Sequence, residues 1–183
     1  MSQRGVFTDN DFNSNDGMLT TVWGPALWHS LHTISFNYPV NPTKKQKDDY
    51  RYFILSLQNV LPCGACRTNL TKNLAECPLT DYAMTNRKTF SRWMWRLHEK
   101  VNTMLGKKSG LSYEAVAERY ENFRARCLDA PDKGIEKGCV EPLTGIKSKC
   151  VISIVPKNTD CATFMMDTSC QVKRKESIKR RKP

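Results

Sequence analysis

Between residues 20 and 126 the apolar side chains recur at three- and four-residue spacing, and nowhere do they alternate with period two over a useful length. An α-helix brings positions i, i+3 and i+4 to one face, whereas a half-buried strand needs strict alternation, so this stretch reads as helices and not as a sheet. Trp28, Leu31, His32, Ser35 and Phe36 share one face of a first helix, with Pro25 suited to its first turn and Tyr38-Pro39 at its end. Tyr50, Phe53, Ile54, Leu57 and Leu61 mark a second from Thr43 to Leu61, stopped or kinked by Pro62. A short third runs from Cys63 to Leu74. The fourth spans Lys88 to Leu105, with Phe90, Trp93, Met94, Leu97, Val101 and Leu105 as its stripe and Gly106 as its stop. Ser112 caps a fifth, whose Tyr113, Val116, Tyr120 and Phe123 close the assembly. The expected fold is all-α, a four-helix bundle plus a short fifth helix.

The flanks differ in character. Residues 1–20 are rich in Asn, Asp and Ser and read as a flexible arm, leaving residues 21–126 as the folded domain. From residue 127 to 183 Pro, Gly, Lys and Asp dominate and Phe164 is the sole aromatic, as expected of a loosely ordered extension tied by disulfides. The run Cys150-Val151-Ile152-Ser153-Ile154-Val155 suits one strand without a visible partner. Much of the formal net charge of +11 sits in residues 173–182, a basic run able to contact nucleic acid or an anionic membrane. It lacks interleaved aromatics, so base stacking has no platform, and a solvated tail is the simpler reading. The N-terminal stretch lacks the apolar core of a secretory signal and no run is apolar enough to span a bilayer, so a soluble protein is expected. Eight cysteines are then notable, because a reducing compartment disfavours stable disulfides. Either they bind metal or the chain itself handles disulfides.

Chemistry concentrates at Cys63-Gly64-Ala65-Cys66. With two residues between them at a helix start, such thiols close a small exchangeable disulfide, and the helix N-terminus favours a thiolate at the first. On the first helix Trp28, His32 and Phe36, spaced by four, form a ridge of flat rings, and His98 and Asn102 repeat that spacing on the fourth. A planar heterocycle held between the ridges gains stacking and hydrogen bonds, with the dithiol at its edge. Three other readings stay open. Cys63, Cys66, His32 and His98 supply the ligand types of a zinc module. A thioredoxin-like oxidoreductase also uses Cys-x-x-Cys, but needs strands beside it. A basic nucleic-acid-binding protein accounts only for the tail.

The ordered set of motifs resembles the Erv/ALR family of FAD-linked sulfhydryl oxidases over most of residues 20–126. It comprises Trp28 and His32 followed by Tyr38-Pro39, the Cys63/Cys66 pair, and His98, Asn102, Leu105, Gly106 and Lys107. Trp23-Gly24-Pro25-Ala26-Leu27-Trp28 and Leu61-Pro62-Cys63-Gly64-Ala65-Cys66-Arg67 look most like the versions of large cytoplasmic DNA viruses. The resemblance implies a homodimer binding FAD, with no metal, acting on protein dithiols and molecular oxygen in the cytoplasm of an infected host cell, or packaged in the virion. Carried across, Trp23, Gly24, Trp28, His32, Phe36, His98, Val101, Asn102, Lys107, Lys108 and Tyr120 line the cofactor, Cys66 faces the flavin and Cys63 exchanges with substrate. Tyr120 falls where the family often has tryptophan. Two departures stand out: Glu99 replaces a common Asn, and Trp95 occupies the position of a cysteine that often pairs with one near Ser112. Stability then rests on packing, dimerisation and FAD, or on a different bridge such as Cys77 to Cys127, with a spectator thiol the other reading of Cys77. No cysteine precedes Cys63 in this sequence, so candidates for a shuttle pair are Cys127, Cys139, Cys150, Cys161 and Cys170.

Overall fold

A computed structural model of the chain describes residues 7–128, 138–143, 146–156, 158–160 and 165–170. The chain divides into two units, Met1–Gly110 and Leu111–Pro183. The boundary follows the exposed polar stretch Lys107-Lys108-Ser109-Gly110, ahead of the fifth expected helix and not after it.

The first unit holds α1 (Asp9–Phe12), α2 (Thr20–Phe36), α3 (Lys44–Val60), α4 (Gly64–Glu76) and α5 (Arg87–Met104). Their ends are chemically specified. Thr43 caps α3 in a reciprocal box with Gln46, and Asn86 does the same for α5 with Thr89. Leu61 leaves α3 with ψ 136°, the extended conformation that the ring of Pro62 imposes on its predecessor. Helix α2 packs on α5, α3 on α4, and α4 on α5, the arrangement expected of a four-helix bundle.

The core gathers Leu31, Ile54, Leu74, Phe90, Trp93, Met94 and Leu97 from the helix stripes. Tyr38, Leu79, Ala83 and Met84 join them from the connections. The loop between α4 and α5 is therefore structural, although nothing in the periodicity marks it. The Trp93 indole donates to the carbonyls of Cys77 and Pro78 at 3.2 and 3.1 Å, the Tyr38 hydroxyl to that of Met84 at 2.9 Å, and Arg87 Nε to that of Tyr38 at 2.6 Å. These bonds satisfy carbonyls that a packed loop otherwise leaves without water.

Several details differ from expectation. The segment read as a flexible arm contains α1, closed by a Thr8/Asp11 capping box, and Met18 N–H bonds Pro62 O at 2.8 Å. Pro25 lies inside α2 and not in its first turn, because the helix begins at Thr20. Phe53 and Leu105, assigned to apolar stripes, are exposed, Leu105 because it is the C-cap of α5.

The second unit, among its described residues, carries α6 (Tyr113–Glu121), capped by Ser112, and two antiparallel strands, β1 (Ala125–Leu128) and β2 (Gly138–Pro142). Tyr113 and Val116 are buried, whereas Phe123 lies past the helix end and is exposed. The strand expected at residues 150–155 is not formed. Val151, Ile152 and Ile154 are all exposed, and no strand among the described residues pairs with them. The sheet forms instead from segments too short for a period-two signal, irregular between Arg126 and Leu128. Cys161, the Cys127 side chain and the basic run at residues 173–182 lie outside the described residues.

Candidate functional site

Cys63 is the N-cap of α4, with φ −157° and ψ 119°, and its Sγ accepts the Cys66 backbone N–H at 3.2 Å. One helical turn thus brings the sulfurs together, and the Cys63–Cys66 disulfide is formed across a Cα–Cα distance of 5.1 Å. Arg67 anchors the approach to this turn, its Nη1 donating to Leu61 O at 2.5 Å. Residues 17–20 close over the other side. A Cβ on Gly17 would stand 2.7 Å from Pro62 O and 3.2 Å from Cys63 Cα, so only glycine permits the approach. Trp23 Nε1 donates to Met18 O at 3.0 Å, and Thr20 Oγ1 lies 3.7 Å from Cys66 Sγ. Sequence reasoning missed this strap, although a lone glycine in a polar stretch was its one signal.

Two turns beyond Thr20 on α2, about 12 Å along the axis, the ridge begins. Trp28 and His32 stand 6.3 Å apart between ring centroids, and His32 and Phe36 6.5 Å. The α5 side meets this ridge directly. His98 stacks on Trp28 at 4.0 Å with planes 4° apart, and His32 Nε2 lies 2.9 Å from His98 Nδ1 in a hydrogen bond. The rings of Trp28 and His98 therefore leave no slot between them, and the two ridges are joined into one ring-lined face.

Both imidazoles are neutral at physiological pH. Burial pushes the His32 pKa down to about 3, helped by the neighbouring His98 and His29. Burial likewise takes His98 to about 4, with Glu99 opposing and Lys107 assisting. Neutral rings offer hydrogen bonds without a charge to desolvate.

The end of α5 explains the spacing from His98 to Lys107. Gly106 has φ +67°, and the N–H groups of Gly106 and Lys107 return to the carbonyls of Thr103 and Asn102 at 3.0 and 2.8 Å, a Schellman motif. Glycine is required there, and it sets the exposed Lys107 and Lys108 one turn past Asn102. Asn102 Nδ2 donates to Glu99 Oε1 at 3.1 Å, so the unusual glutamate holds the amide.

Of the remaining expected residues, Gly24 is buried and Val101 half-buried. Tyr120 belongs to the second unit, half-buried, with burial pushing its hydroxyl pKa up to about 12. Cys77 is a free thiol, so the staple to Cys127 is not formed. Cys150 and Cys170 are free thiols and Cys139 is disulfide-bonded. Among the described residues no three His, Cys, Asp or Glu side chains gather for a metal, so the zinc arrangement is not assembled. The dithiol is preceded by α3 and not by a strand, which excludes a thioredoxin-like setting.

A helical bundle with a disulfide closed across the first turn of a helix, and a ring-lined face on two of its other helices, defines a class of thiol–disulfide redox proteins. The Erv1 / Alr family matches residues 25–121, and the chain belongs to that family. A probable FAD-linked sulfhydryl oxidase of Acanthamoeba polyphaga mimivirus is 38% identical over 99 residues, 54% of this chain and 68% of that protein. The FAD-linked sulfhydryl oxidase of African swine fever virus (isolate Pig/Kenya/KEN-50/1950) is 34% identical over 107 residues, 58% of this chain and 87% of that protein. The crystal structure of the yeast Erv1 core superposes with a TM-score of 0.51 at 27% identity, covering 57% of this chain and 86% of that one.

Proposed function

We propose that this chain is an FAD-linked sulfhydryl oxidase that makes disulfides in protein dithiols, with Cys63 and Cys66 as its redox pair. The observation that carries the reading is the Cys63–Cys66 disulfide at the start of α4 in a chain of the Erv1 / Alr family. The residues present suit the cofactor. The joined Trp28, His98, His32 and Phe36 rings offer an apolar face for a flavin ring, the neutral imidazoles and the Asn102 amide suit its polar edge, and exposed Lys107 and Lys108 suit phosphates. Trp23, Gly24 and Val101 complete the proposed lining on the same two helices, and Tyr120 is assigned to it from the resemblance. The working domain is read as residues 21–126.

The chain's own part in the reaction is thiol exchange. A substrate thiolate attacks Cys63 Sγ, a substrate–Cys63 bond forms, and the Cys63–Cys66 bond breaks with its electron pair on Cys66. The substrate's second thiolate then attacks its own sulfur in the mixed disulfide and releases Cys63 as a thiolate at the N-terminus of α4, where the backbone Cys66 N–H faces it. FAD, when bound, would supply the two-electron acceptor, with oxygen as the final oxidant and hydrogen peroxide as the by-product. His32 and His98, uncharged at neutral pH, hold their positions without competing for the proton released.

Homodimerisation is part of the proposal, as is a role in oxidising viral proteins in the cytoplasm of an infected cell, with packaging in the virion. Viral relatives support that setting, and no described helix is long and apolar enough to cross a membrane. The free thiols of Cys150 and Cys170 are proposed as shuttle candidates alongside Cys127, Cys139 and Cys161. The test is oxygen consumption with dithiothreitol. Activity is expected in the parent and lost in Cys63→Ser and in Cys66→Ser while the flavin absorbance persists; undiminished turnover in both variants overturns the assignment.

A further inference from the structure

Each sulfur of the redox pair lies at a helix start of its own. Cys63 Sγ is served by α4, accepting the Cys66 N–H at 3.2 Å. Cys66 Sγ is approached from outside that helix, by the hydroxyl of Thr20 at 3.7 Å, on the first residue of α2. With the disulfide closed, neither sulfur carries a proton, so the hydroxyl is the donor. The contact is built in three ways. Leu19, the N-cap of α2, makes no side-chain cap, so the first N–H groups of α2, Thr20 at their head, take no bond from the side chain of the cap residue. Met18 N–H is bonded to Pro62 O at 2.8 Å, and Gly17 closes to a distance over Pro62 and Cys63 that excludes any side chain. Trp23 Nε1 holds Met18 O at 3.0 Å, tying the strap to α2. Thr20 lies before the residues that match the family, so this support belongs to the segment flanking the matched domain.

We propose that Thr20 is a catalytic residue that stabilises the Cys66 thiolate. The inference rests on the reading of Cys63–Cys66 as the redox pair. When a substrate thiolate bonds to Cys63 Sγ, the disulfide breaks and its electron pair stays on Cys66 Sγ; the Thr20 O–H then donates to an anion in place of a neutral sulfur. A hydrogen bond to a charged acceptor is roughly twice as strong as to a neutral one, so the contact is worth most once the bond has broken. Departure of Cys66 on attack at Cys63 is thereby eased, and the Cys66 sulfur is kept as a thiolate for the next two-electron transfer. This gives the two sulfurs different roles through a residue 46 positions away in sequence.

The test measures the Cys66 thiol directly. In Cys63→Ser protein, the rate of alkylation by iodoacetamide is followed against pH, with the modified cysteine located by peptide mass mapping. Adding Thr20→Val is expected to raise the Cys66 pKa by about one unit and slow its alkylation at pH 7 nearly tenfold. Thr20→Ser is expected to keep both within twofold of the parent. Thr20→Ala provides a second hydroxyl-free variant with high helix propensity, so α2 is not weakened. An unchanged pKa in the Val and Ala variants, or a Ser variant that behaves like Val, overturns the proposal. The measurement needs neither flavin nor oxygen. Loss of the oxidase assignment with a raised Cys66 pKa in Thr20→Val would therefore overturn only the functional reading, and the converse only this one.

Discussion

Acid should weaken this fold through two histidines, by an amount that follows from their burial. An unfolded chain takes up protons on histidine near pH 6.5, whereas the folded His32 waits until about pH 3 and His98 until about pH 4. Between those limits the unfolded state binds more protons, so stability is complete above pH 6.5 and falls as pH falls toward the folded values. At pH 5 both groups are almost fully protonated when unfolded and almost fully neutral when folded. Each then costs about 2 kcal/mol relative to pH 7, the unfolded pKa alone setting the figure, so the pair costs about 4 kcal/mol. The hydrogen bond between the rings does not alter this sum, because neither ring is charged in the fold at pH 5. Urea unfolding at both pH values reads it out. With a slope of about 2 kcal/mol per molar, the midpoint should drop by about 2 M between pH 7 and 5. The His32→Gln/His98→Gln double variant, less stable at pH 7, should lose far less over the same interval. An equal drop in both proteins would refute the account and assign acid sensitivity to groups elsewhere.

Two smaller perturbations follow from the same contacts. Tyr38→Phe removes the hydroxyl that donates to Met84 O at 2.9 Å in a fully buried setting, and should cost about 1–2 kcal/mol in urea unfolding at pH 7. Gly17→Ala brings a Cβ against Pro62 O at 2.7 Å, backbone that cannot swing away; hydrogen exchange at the Met18 amide should accelerate and stability fall by about 1 kcal/mol.

The helices were legible because their information is local. Thr43 and Ser112 stand at the helix starts read from the sequence, whereas the Asn86 cap lies two residues before the start expected at Lys88, and Phe90, Trp93, Met94 and Leu97 repeat at the period that buries one face. The ridge and the dithiol were legible for the same reason, since four-residue and three-residue spacings fix neighbours within one helix. What was hidden depends on distant partners. Burial of Met84 depends on Tyr38, 46 residues away, and placement of Gly17 depends on Pro62, with no periodic mark in either loop. The direct stacking of Trp28 on His98 likewise requires the packing of α2 on α5, which spacing along either helix does not encode.

The hydrogen bond between His32 Nε2 and His98 Nδ1 links the tautomers of the two rings. A neutral imidazole carries one proton on one of its two nitrogens, so if His32 donates from Nε2, then His98 holds its proton on Nε2; if His98 donates from Nδ1, then His32 holds its proton on Nδ1. The pair therefore has two settings and no mixed one. A ligand that requires an acceptor at His98 Nε2 selects the setting in which His32 is a donor at Nδ1, and the choice made at one ring is read at the other without any atom heavier than hydrogen moving.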